Sequence, residues 1–146
     1  MPHPPHRRLV LVALVPVVVA AGLGVTRTVG GLPGDLLGGV LYAALVYMLV
    51  GAVRPAWRIP VLVGVTFAMC AVVELAQLTG LPARAVELFS PARYVLGTTF
   101  TAHDLPAYAV GALLSGAVDV LARSNAGRQT SRMAATRAPV SGSFRA

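Results

Sequence analysis

The sequence predicts an all-α fold: a four-helix transmembrane bundle with a long outer loop between its third and fourth spans. Three observations carry that prediction. The composition is 56% hydrophobic and 12% charged, whereas a soluble domain averages about 25% charged. The apolar residues gather into four runs, at about 9–25, 36–53, 59–78 and 105–122, each close to the roughly 20 residues that cross about 30 Å of hydrocarbon as a helix. Most charged residues fall between those runs. Lipid offers backbone N–H and C=O groups no partner, so a spanning segment satisfies them internally, as a helix. The chain of 146 residues has room for one such domain.

The first span follows Arg7 and Arg8. Pro16 lies inside it, where a missing N–H and a clash with the preceding turn favour a kink. Two arginines, an apolar run and then Ala21-Gly22 also have the form of a secretory signal peptide. The run continues through Val25, which favours a retained span. The second span follows Pro33-Gly34-Asp35, and Asp35 is expected as its N-cap. A short link with Arg54, Arg58 and an interfacial Trp57 leads to the third span. The next connection, 80–103, is too long for a simple connector. Val86, Leu88, Phe89, Tyr94, Val95, Leu96 and Phe100 punctuate it, which predicts a short amphipathic or re-entrant helix. Asp104 opens the fourth span as an expected N-cap, with Pro106 allowed in the first turn. The membrane domain is therefore placed at 1–123. The Arg-rich remainder, 124–146, has little to bury and is expected to be a disordered cytoplasmic tail.

The net charge of +7 comes entirely from arginine, with no lysine. Five of the twelve arginines lie at or beyond Arg123 in a Ser/Thr/Ala-rich stretch, a distribution that argues against nucleic acid as partner. Nine arginines fall on the side of both termini (2 + 2 + 5) and three on the other (1 + 2). The positive-inside rule then places both termini in the cytoplasm. The Ala, Gly, Val and Arg bias points to a GC-rich bacterial genome, and so to the bacterial inner or plasma membrane. Membrane lipids are the expected partners; a second copy or a larger membrane complex stays open. The single cysteine, Cys70, excludes an intramolecular disulfide and reads as a small buried hydrophobe.

An ionisable side chain at membrane depth costs several kcal/mol and calls for a partner or a task. Glu74 is such a residue, about 7–8 Å from the middle of the third span on the helical rise. Gln77, three residues on, shares its face. The pair suits a proton- or cation-accepting site or a polar ligand pocket. It equally suits a structural node tying helices together. Arg93, in the outer loop, is the expected partner of Glu74 or Asp104, and could recognise an anionic headgroup or staple the loop. Asp104 and Tyr108 share a stripe with Gly111, and Asp35 lies on the same predicted face. The ligand-binding candidates are thus Asp35, Glu74, Gln77, Arg93, Asp104 and Tyr108. Asp119 and Arg123, four apart, read as a surface pair. Gly111, Ser115 and Gly116, with Ala112, offer the small-residue spacing of close helix contact. No catalytic triad, phosphate loop or CxxC occurs, and one histidine among scattered carboxylates makes no metal motif. No cofactor is expected.

Four blocks resemble domain of unknown function 2809, an uncharacterised family of small bacterial membrane proteins. They are Gly34-Asp35-x-Leu37, Glu74-Leu75-x-Gln77, Arg93-x-x-Leu96-Gly97-x-x-Phe100 and Asp104-Leu105-x-Ala107-Tyr108-x-x-Gly111. The resemblance covers about 9–121. A more distant likeness is to VanZ-like membrane proteins, which show Glu-x-x-Gln, a later Arg, then Asp-x-x-x-Asn-x-x-Gly; Tyr108 stands here in place of that Asn. Some VanZ-like proteins are linked to glycopeptide resistance, which points toward the cell envelope. The resemblance implies four spans and a polar cluster, and brings no catalytic residue. The expectation is a non-enzymatic envelope protein that binds a polar ligand or lipid headgroup at its outer side. The alternatives are a structural subunit of a membrane complex, or an enzyme on a lipid-linked substrate with Glu74 or Asp104 as base.

Overall fold

The computed structural model describes residues 5–92, 96 and 101–137. Its helices are α1 (Pro5–Thr28), α2 (Gly31–Val53), α3 (Ile59–Gln77), α4 (Leu81–Leu88) and α5 (Asp104–Arg137), with a 3-10 turn at Ser90–Ala92. No strand occurs among the described residues. Four helical stretches, Arg7–Thr28, Gly31–Val53, Ile59–Gln77 and Asp104–Asn125, are long and apolar enough to cross a membrane. The chain is an all-α, four-span membrane protein.

The helices outrun the apolar runs at several ends. α2 begins at Gly31, ahead of Pro33. The first turn of a helix has N–H groups with no internal acceptor, so a proline there loses nothing. Gly30 is the extended N-cap, without a side-chain bond; Asp35 is exposed inside the helix and is not the cap. α1 runs unbroken through Pro16. The largest difference is at the other end of the chain. The tail expected to be disordered from Ser124 is helical as far as Arg137, while 138–146 lie outside the described residues. Extending an existing helix costs far less than starting one. Ala, Arg, Gln and Met favour it.

α2 is the central helix. It packs on α1, α3 and α5, and α3 also packs on α5. Small residues let α2 and α5 cross closely. A Cβ at Gly111 would sit 2.5 Å from the Val40 carbonyl oxygen and 2.9 Å from the Ala43 Cβ. Gly39 meets Ala107 in the same way. Gly116 instead faces Val63 and Ile59 of α3. Around this crossing Ala43, Cys70 and Tyr108 form the core, with Tyr42, Val46 and Leu105 against it.

The up-and-down path gives the bundle two ends. The terminal end gathers the start of α1, the α2–α3 turn and the 119–123 stretch of α5. The loop end gathers the α1–α2 turn and the connection from α3 to α5. That connection carries α4, entered through Gly80 at φ 72°, a left-handed backbone that glycine adopts without penalty. Pro82 is buried in the first turn of α4.

Candidate functional site

The inward face of α3 repeats every four residues: Leu62, Thr66, Cys70 and Glu74 are all buried. The spacing that packs the helix also carries the carboxylate inside. Glu74 is 0% exposed. Its Oε1 accepts the Thr101 backbone N–H at 2.5 Å, and its Oε2 accepts the Tyr108 hydroxyl at 3.1 Å. Tyr108 lies one turn into α5, its ring 5.8 Å from that of Tyr42 at 54°. Glu74 thereby joins α3 to α5 and to the connection just before it.

Gln77 ends α3 on the same face. Its Nε2 donates to the Leu96 carbonyl at 2.7 Å, while its Oε1 is buried without a donor among the described residues. Asp104 is the first residue of α5 and is partly buried. Its negative charge suits the N-terminal end of the helix dipole. His103 Nε2 stands 4.0 Å from Asp104 Oδ1. Four of the six candidates, Glu74, Gln77, Asp104 and Tyr108, thus occupy the adjoining ends of α3 and α5. Asp35 is exposed on α2 and, among the described residues, makes no hydrogen bond or ion pair with them. Arg93, the expected partner of Glu74, lies outside the described residues. Among the described residues no three His, Cys, Asp or Glu side chains group as a metal would require.

The family described as protein of unknown function (DUF2809) matches residues 31–112, more than half of the chain. The chain belongs to the DUF2809 family. The DUF2809 segment takes in α2, α3, the connection and the first two turns of α5. It contains all six candidate residues and is narrower than the 9–121 of the sequence resemblance, leaving out α1 and Asp119. The VanZ-like likeness rests on sequence blocks alone. No curated protein and no solved structure matches the chain.

At the terminal end, partly outside the DUF2809 segment, lies a second cluster that sequence reasoning missed. Asp119 is 9% exposed, so it is not half of a surface pair. Arg7 Nη2 donates to its Oδ2 at 2.6 Å and Arg7 Nε to its Oδ1 at 3.3 Å. The Tyr47 hydroxyl donates to Oδ2 at 2.9 Å. Arg123 Nε and Nη2 reach the two oxygens at 3.2 Å each. Arg7 Nη1 also donates to the Pro55 carbonyl at 2.9 Å, pinning the α2–α3 turn. One signal was present in the sequence: a topology with both termini on one side brings Arg7 to the end of the bundle that holds Asp119.

Proposed function

We propose that this DUF2809 protein is a non-enzymatic component of the bacterial cell envelope, seated in the plasma membrane with both termini cytoplasmic. In this reading it binds a polar ligand, foremost a lipid headgroup, at the loop end. The proposed site residues are Glu74, Gln77, Asp104 and Tyr108, with Asp35 and Arg93 kept as further candidates. The observation that carries the reading is Glu74, a fully buried carboxylate whose described partners are an amide and a hydroxyl. Ionisable groups at membrane depth mark sites of function by default. The uncommitted Gln77 Oε1 adds an acceptor, so the site suits a headgroup rich in hydrogen-bond donors.

Glu74→Gln tests this, because glutamine keeps the shape and can still accept from Thr101. The variant is expected to melt like the wild type in detergent. Mass spectrometry of co-purified lipid should show the retained species reduced about tenfold, the worth of a hydrogen bond to a charged group. A second reading, a structural subunit, is favoured by the internal donors that already occupy both Glu74 oxygens. Loss of thermal stability with unchanged lipid content would decide for it.

A further inference from the structure

The terminal end carries more positive charge than the fold consumes. Of the five acidic residues in the chain only Asp119 lies there, and its two oxygens already take five hydrogen bonds from Arg7, Tyr47 and Arg123. Two guanidiniums on one carboxylate leave the closed centre with a net positive charge. Around it, Arg8, Arg54, Arg58 and Arg128 are exposed, and Arg123 keeps 37% of its side chain open. The Arg7 bond to Pro55 holds the turn that carries Arg54 and Arg58. Arg54 lies over the Trp57 ring, 5.9 Å from its centroid.

Depth selects the partner. Arg7, Arg54 and Arg58 sit at or within a few residues of the ends of three apolar spans, the level of the headgroups. Trp57 beside them is the residue type that settles there. A phosphate at this level reaches the arginines without leaving the bilayer. We infer that the terminal end is a docking surface for anionic phospholipid, which places Arg54, Arg58 and Arg123 against lipid phosphates. This surface is separate from the loop-end site and does not depend on it.

The test uses the full chain in nanodiscs of phosphatidylcholine, with phosphatidylglycerol added as a minor component. Native mass spectrometry of released complexes should show phosphatidylglycerol enriched over its bulk fraction, and the enrichment should fall as salt rises. Arg54→Gln and Arg58→Gln lie outside the Asp119 cluster and leave folding intact. Each should weaken the enrichment about fivefold, the worth of one basic residue at the surface. The same weakening by Arg54→Gln and Arg58→Gln should appear in a Glu74→Gln background, which separates this surface from the loop-end site. Absence of enrichment in the wild type overturns the inference, as does enrichment that survives the double variant. Equal displacement by inorganic pyrophosphate or by an RNA oligonucleotide would also overturn it, by giving the surface to a soluble polyanion.

Discussion

Asp119 is the most heavily bonded side chain described, and its partners differ in what they are worth. Arg7 is 12% exposed and Arg123 37%. Removing one member of a buried pair strands the other and costs about 3–5 kcal/mol. Asp119→Asn should therefore fall in that range by thermal unfolding in detergent. Arg123→Gln should cost less than about 1 kcal/mol, because its charge is screened by solvent. The Arg7→Gln/Asp119→Asn double variant should lose less than the sum of its parts by about 0.5–3 kcal/mol; strict additivity would show that the two do not interact. Glu74 and Asp119 were equally visible as acids in apolar sequence. Glu74 stood out because nothing nearby could pair with it. Asp119 had Arg123 four residues on, and a local partner conceals a distant one. Its other partners are Tyr47, 72 residues away, and Arg7, 112 residues away, and only the packing of three helices brings them together.

At the scale of elements, hydropathy located the spans because lipid demands a continuous apolar run. It located their ends less well, because the edge of the hydrocarbon is not the end of a helix. α2 starts five residues ahead of its apolar run and α5 continues to Arg137, since backbone preference, not hydropathy, decides those positions. The small residues on α5 were legible as packing, and the structure assigns Gly111 to α2. Gly111→Val should lower stability by about 1–3 kcal/mol, the range of an overpacked core, because its side chain would meet the Val40 backbone and not a yielding rotamer. A Cβ at Gly64 would meet nothing within 4 Å, so Gly64→Ala should be neutral or slightly stabilising through helix propensity. Equal losses from the two substitutions in a thermal melt would argue against a close α2–α5 crossing.

For the whole molecule, four spans put both ends of the chain on one side. A reporter fused at Ala146 and another inserted in the 80–103 connection should report opposite compartments, and the arginine asymmetry expects the terminal reporter in the cytoplasm. Two reporters on the same side would refute the four-span path. Within that path α2 touches every other spanning helix, whereas α1, among the described residues, packs by its backbone on α2 alone. Its second hold is Arg7 on Asp119. Synthesis runs from the N-terminus, so α1 is made first and the residue that clasps it is made in the last span. The clasp can close only after the ribosome has passed residue 119. A chain interrupted earlier leaves Arg7 and Tyr47 without their carboxylate. Closure of this contact therefore marks a chain made through its fourth span, and its absence distinguishes one stopped before Asp119.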